Sequence, residues 1–224
     1  MRRERAVALA TLLYLLAPPC DALAFERVGP WSFGAWYGIG VPAAGDINHQ
    51  IDLTNLALSS AIGPFESNHE VHADLRHELN DKWALEGRGG YWWKRRGEGL
   101  YTRRISAIPI ELGAVLTTFS SQRARAGFTG AAGLLVNATL AGEDPLGGVH
   151  YSGTGGVGEL GVTGEYQLSP AWSLQGRFVG RYAMAKHVLP DDGDLDFSGI
   201  SGNIGLRVSF DTRTPVDSTE TQKK

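Results

Sequence analysis

From Trp31 onward, apolar and polar residues alternate through a succession of runs of roughly ten or more residues. Period two is the signature of extended strands whose two faces meet different surroundings. In the first run Trp31, Phe33, Ala35, Tyr37, Ile39 and Val41 share one face, and Ser32, Gly34, Gly38 and Gly40 share the other, with Trp36 the one large residue on the inner side. The second sets Val71, Ala73, Leu75 and Leu79 against Glu70, His72, Asp74, Arg76 and Glu78. A third, joined to it by the tight hairpin Asn80-Asp81-Lys82, carries Trp83, Leu85, Tyr91 and Trp93 outward with Glu86 and Arg88 inward. The fourth, about Arg104 to Thr118, turns Ile108, Ile110, Leu112, Ala114 and Leu116 outward and Glu111 inward. Pro109 removes one ladder donor in its middle and is the poorest local fit.

The fifth run predicts Ala126, Phe128, Ala132, Leu134 and Val136 outward, with Arg125, Thr129 and Asn137 inward. In the sixth, Leu160, Val162, Tyr166 and Leu168 oppose Glu159, Thr163, Glu165 and Gln167, and Ser169-Pro170-Ala171 then turns the chain. The seventh sets Trp172, Leu174, Phe178 and Tyr182 against Ser173, Gln175, Arg177 and Arg181. The last, Phe197 to Phe210, sets Ile200, Ile204, Leu206, Val208 and Phe210 against Ser201, Asn203, Arg207 and Ser209.

Eight runs are an even number, so the first and last strands can meet and close the sheet. Closure matters in lipid, which offers no hydrogen bonds to an unpaired edge. The spacing predicts an all-β fold, an eight-stranded antiparallel up-and-down transmembrane β-barrel over residues 25–210. Short turns near 80–82, 119–122 and 169–171 alternate with longer loops near 42–68, 94–103, 141–155 and 184–196. That alternation places the short set and both mature termini in the periplasm and the long set outside.

A soluble sandwich alternates too, so the character of the polar face decides. Here it is almost free of lysine and sets acidic Asp74, Glu78, Glu86, Glu111, Glu159 and Glu165 against Arg76, Arg88, Arg125, Arg177, Arg181 and Arg207. Such a set reads as a packed, nearly neutral charge network, and an eight-stranded barrel is just narrow enough to be plugged by it. Trp83, Trp172 and Phe210 fall at the turn ends and Tyr37, Tyr91, Trp93 and Tyr182 at the loop ends, two girdles of the kind aromatic rings form at membrane interfaces.

Composition changes the picture mainly at the chain's start. Basic Arg2, Arg3 and Arg5, the apolar run Ala6 to Leu16 and the small residues of Ala22-Leu23-Ala24 predict a cleaved signal peptide over residues 1–24. The apolar run is too short for a permanent span, which needs about 20 residues. Cys20 is the single cysteine, and Pro19 before it disfavours acylation, so the mature chain is expected to lack a thiol. A formal charge of −3 argues against nucleic acid as a partner. Lys94-Arg95-Arg96 is a short basic run that reads as a solvated loop, with anionic head groups as its other possible partner. Asp211 to Lys224 is polar and is expected to form a disordered periplasmic tail.

The segment Gly202-Asn203-Ile204-Gly205-Leu206-Arg207-Val208-Ser209-Phe210 resembles the final strand of bacterial outer-membrane barrels. The hairpin Leu79-Asn80-Asp81-Lys82-Trp83-Ala84-Leu85 and the segment Ile108-Pro109-Ile110-Glu111-Leu112 are similar to pieces of small OmpA-like and OmpW-like barrels. The resemblance implies a bacterial outer-membrane address, contact with outer-membrane lipid and lipopolysaccharide, and insertion by the barrel-assembly machinery through Leu206, Val208 and Phe210. It does not imply one activity. The departure from the family pattern is the tail beyond Phe210, which makes the assembly signal internal.

Chemistry has one candidate. His150 and Ser152 form an H-x-S pair that in an extended segment points both side chains one way, with Glu159 or Glu165 as an orienting acid. The pair resembles the dyad of lipid A deacylases of the PagL type, but Gly147-Gly148-Val149 and Gly153-Thr154-Gly155 around it depart from that pattern, and a mobile glycine-rich loop is the alternative. His69 and His72 lie on opposite strand faces, His77 faces outward, and His49 and His187 sit in separate loops, so neither a metal nor another cofactor is expected. The loop 42–68 contains Ile51-Asp52-Leu53-Thr54-Asn55-Leu56-Ala57-Leu58, read as a strand extension or amphipathic turn, and is where an extracellular ligand would bind. The sequence therefore predicts a structural or surface-interaction barrel without enzymatic activity, with a hydrolase or a narrow solute channel as the alternatives.

Overall fold

The computed structural model describes residues 28–43, 45–58, 63–98, 101–144, 147–189 and 193–211. The expected signal peptide, its cleavage site, Cys20 and the tail from residue 212 lie outside the described residues. Among the described residues nine strands and one helix follow in the order β1 (Trp31–Pro42), α1 (Gly45–Leu58), β2 (Asn68–Glu78), β3 (Trp83–Glu98), β4 (Tyr101–Ser120), β5 (Ala124–Asp144), β6 (Gly147–Gln167), β7 (Trp172–Lys186), β8 (Leu195–Asp196) and β9 (Gly199–Phe210). Each long strand pairs antiparallel with its neighbour, and β9 pairs with both β7 and β1. The eight long strands thus close into a ring, while β8 is a two-residue addition beside β7.

The wall obeys the alternation. Along β1 the odd positions from Phe33 to Val41 face out and the even positions from Ser32 to Gly40 are buried. The outward apolar residues have nothing covering them: Leu112 is 77% and Leu160 76% exposed. In water a face of this kind, continuous around the ring, would aggregate; in hydrocarbon it is the favourable surface. Among the described residues no helix is long and apolar enough to cross a membrane; the continuous apolar face belongs to the strands. Short turns at residues 79–82, 121–123 and 168–171 join the strands at one end. Asn80 Oδ1 accepts from the backbone N–H groups of Lys82 and Trp83 at 2.9 Å, and Ser121 and Ser169 hold the other two turns through contacts to Ala124 and Trp172.

Three expectations are corrected at the other end. The loops read at 94–103 and 141–155 are largely strand, since β3 and β4 stay paired to Glu98↔Tyr101 and β5 and β6 to Asp144↔Gly147. Over 94–103 charged residues fall on both faces of the ribbon, and over 141–155 glycines interrupt both, so no apolar face marked them. The segment 51–58, read as a strand extension or turn, belongs to the helix α1. Asn137 does not point inward. It is exposed, with φ of 50°, and sits in a β-bulge where β5 advances by three residues from Leu135 to Ala138 against two on β6. The extra residue reverses the parity of β5, so Leu135 is inward below the bulge and Ala138 and Leu140 inward above it. At the same height the β3–β4 ladder is interrupted between Gly89↔Ile110 and Trp92↔Ala107, beside Pro109, which has no N–H to donate.

Candidate functional site

The barrel interior has two storeys, and the bulge height separates them. The storey nearer the short turns is ionic. Glu86 lies at its centre, fully buried, accepting from Arg76 Nε at 2.7 Å, Arg88 Nε at 2.8 Å and Arg177 at 3.2 Å, with Arg207 at 3.5 Å. Arg88 reaches on to Glu159 at 3.4 Å and donates to Thr129, and Arg76 reaches Glu165 at 3.3 Å. Arg207 is held by Asp74 and by Ser32 Oγ, and Trp36 donates its indole N–H to Asp74. Arg125 lies 3.4 Å from Glu78 near the turn rim.

Two members of this storey behave differently from the rest. Glu70, a seventh inward carboxylate beside the six set against arginines above, is fully buried and takes a bidentate pair from Arg181 at 2.6 and 2.9 Å together with Ser201 Oγ at 2.6 Å. Its even position in β2 had already placed it on the inner face, and its partner Arg181, on β7, is what a single strand's pattern does not show. Glu111 is buried, yet neither of its carboxylate oxygens has a hydrogen-bond partner among the described residues. Glycines on the inner face of β1 leave room for polar side chains of β2: a Cβ on Gly40 would collide with Glu70 Oε1 and Asn68 Oδ1, and one on Gly34 with Asp74.

The outer storey is apolar, and nothing in the alternation announced it. Trp92, Ile105, Ala107, Leu135, Ala138, Leu140, Val157, Ala183 and Ala185 line it from the wall. Val188, Leu189, Leu195 and Phe197 from the 187–198 segment and Ile51 of α1 with Phe65 close it from above. Asn48 fastens the helix there, accepting from Phe65 N at 2.7 Å through Oδ1 and donating to Phe65 O at 3.4 Å through Nδ2. The storeys meet where the Arg181 guanidinium lies 3.8 Å over the Trp92 ring, an arrangement that lets a cation border an apolar core.

The outer wall carries an aromatic chain at the loop end. Tyr91 stacks on Trp93 with centroids 5.5 Å apart, Trp93 lies 5.6 Å from the His69 ring, and Tyr37 Oη is 2.8 Å from His69 Nδ1. Above it the basic run gains partners that sequence spacing could not show, because Arg95 and Arg96 on β3 stand directly opposite Arg104 and Arg103 on β4. His150 and Ser152 are exposed on one face of β6, paired with Ala141 and Thr139. Glu159 and Glu165 are inside the barrel, Glu159 held by Arg181 at 2.7 Å and Glu165 accepting from Ser173 at 2.6 Å. The structure therefore brings the histidine and serine to one face and leaves both acids elsewhere.

A ring of eight paired strands with an apolar outer face and buried ion pairs enclosed within it admits one description. The fold is that of the small outer-membrane β-barrels. The chain is similar to Ail, the attachment invasion locus protein of Yersinia pestis, at 11% identity over 81% of this chain and 99% of that one, with a TM-score of 0.49. It is also similar to Neisserial surface protein A, at 12% identity over 81% of this chain and 98% of that one, TM-score 0.48. OprG of Pseudomonas aeruginosa matches at 13% identity over 83% and 98%, TM-score 0.43. No family model and no curated protein matches the sequence.

Proposed function

We propose that this barrel resides in the bacterial outer membrane as a structural or surface-interaction component whose external parts, not its lumen, do the work. The observation that carries the reading is the filled interior: guanidinium–carboxylate pairs occupy the storey near the turns, and apolar side chains under α1 occupy the other. A barrel of eight strands has no room left for an aqueous path once its inward side chains interlock. Buried ions of both signs are tolerable only when paired, and here Glu86 and Glu70 each draw on several donors.

The same reading takes residues 1–24 as an export signal, 25–210 as the barrel and 211–224 as a periplasmic tail, with the short turns inside and α1 at the cell surface. Leu206, Val208 and Phe210 would be the strand read by the assembly machinery, and α1 with the 63–67 segment the first place to seek an extracellular partner. Single-channel recording on the purified barrel in planar bilayers tests the filled lumen. The expected trace shows no stable conductance, and a large, long-lived open level would overturn the reading. Outer-membrane fractionation with heat-modifiable gel migration tests the address.

A further inference from the structure

The β3–β4 ribbon collects five cations where it leaves the wall: Lys94, Arg95, Arg96, Arg103 and Arg104. They divide between two faces. Lys94, Arg96 and Arg103 follow the inward parity, where Lys94 donates to Ser67 Oγ at 3.2 Å and Arg96 lies 4.0 Å from Glu66. Arg95 and Arg104 follow the outward parity of Tyr91, Trp93 and Ile110, are exposed, and are direct cross-strand partners. Side chains so placed have Cβ atoms about 4.5–5.5 Å apart, and like charges there repel. Among the described residues neither arginine has a carboxylate partner.

We propose that Arg95 and Arg104 form a site for a phosphate group of an anionic, phosphorylated outer-leaflet lipid, the lipid A part of lipopolysaccharide; the proposal rests on the outer-membrane address and on α1 lying at the outer end. Three features favour a lipid over a free anion. The pair faces away from the barrel axis, on the side that meets lipid. It stands just beyond the stacked rings of Tyr91 and Trp93, and rings of this kind prefer head-group height. Arg104 is also pre-positioned, since its Nη2 donates to Tyr91 Oη at 2.6 Å and Tyr91 is itself stacked on Trp93. One bond of this kind uses one of five guanidinium donors, and the remaining fork geometry suits a phosphate. An anion between the two guanidiniums would turn a repulsive cross-strand pair into a bridged one.

The test compares the wild-type barrel, R95Q/R104Q and R96Q, each purified free of lipopolysaccharide and verified as closed by heat-modifiable migration. Native mass spectrometry then follows binding of lipid A, of dephosphorylated lipid A, and of lipid A in the presence of millimolar inorganic phosphate. The expected result is an apparent affinity for lipid A at least roughly tenfold weaker in R95Q/R104Q, as loss of charge-assisted contacts implies. R96Q, which removes the same kind of charge from the other face of the ribbon, is expected to bind like wild type. Equal binding by the double variant, equal binding of dephosphorylated lipid A, an equal loss in R96Q or displacement by inorganic phosphate would each overturn the lipid site. Failure of the address itself would show separately, as a barrel absent from the outer-membrane fraction.

Discussion

At the scale of single residues the interior asks how a carboxylate survives away from water, and Glu86 and Glu111 answer in opposite ways. Glu86 accepts from Arg76, Arg88 and Arg177 and neighbours Arg207, so it is the shared counter-ion of four buried guanidiniums. Glu86→Gln takes from Arg177 the one carboxylate it meets among the described residues and leaves Arg76, Arg88 and Arg207 to Glu165, Glu159 and Asp74, and is expected to cost about 3–5 kcal/mol, the range for removing one partner of a buried ion pair. Glu111 accepts no hydrogen bond from any described residue, so Glu111→Gln breaks none and is expected to change stability by less than about 1 kcal/mol. Guanidinium-induced unfolding of both variants in lipid vesicles measures the difference, and equal losses would contradict the hub role of Glu86. Position along the strand was enough to place both carboxylates inside, because parity was unbroken from Trp83 to Glu86 and across Glu111. What each one touches depends on strands distant in sequence, such as β7 and β9, and a single strand's pattern carries no record of that.

At the scale of elements, legibility tracked how different the two sides of a strand are. Within the wall one face meets lipid and the other meets charge, so all eight strands could be read directly. Above the wall, where β5 and β6 continue to Asp144 and Gly147, glycines interrupt both faces and the pattern fades although the pairing does not. The helix α1 was hidden for a related reason: Ile51 is buried, but Leu53 and Leu56 are exposed, so its apolar residues mark no single face. The bulge at Asn137 was invisible because one inserted residue keeps composition unchanged while reversing every later position. Asn tolerates the left-handed backbone that the bulge requires at φ of 50°, whereas a β-branched residue does not. Asn137→Val should therefore cost about 1–2 kcal/mol, and Asn137→Gly should cost no more than a few tenths. Unfolding midpoints of the two variants decide it, and a neutral valine would mean that the parity switch does not depend on this residue.

At the scale of the whole molecule the two storeys and the greasy exterior are one arrangement, in which the solvent outside is hydrocarbon and the polar material is enclosed. Adjacent residues on β6 show it most directly: Leu160 is 76% exposed, while Glu159 beside it is buried against Arg181 and Arg88. In a soluble sandwich an arginine at an exposed position such as 160 would be harmless. In a barrel whose wall faces lipid, Leu160→Arg carries a charge into the hydrocarbon band and is expected to cost about 2–4 kcal/mol near the bilayer midplane, falling towards zero near the interfaces. The comparison position is Leu168, also outward but at the turn rim, where Leu168→Arg can place its guanidinium among head groups. Unfolding free energies in vesicles should therefore separate the two substitutions by about 2 kcal/mol or more, with Leu160→Arg the weaker barrel. Depth is the variable that only a membrane supplies, so equal costs at the two positions would mean that no hydrocarbon band surrounds this ring.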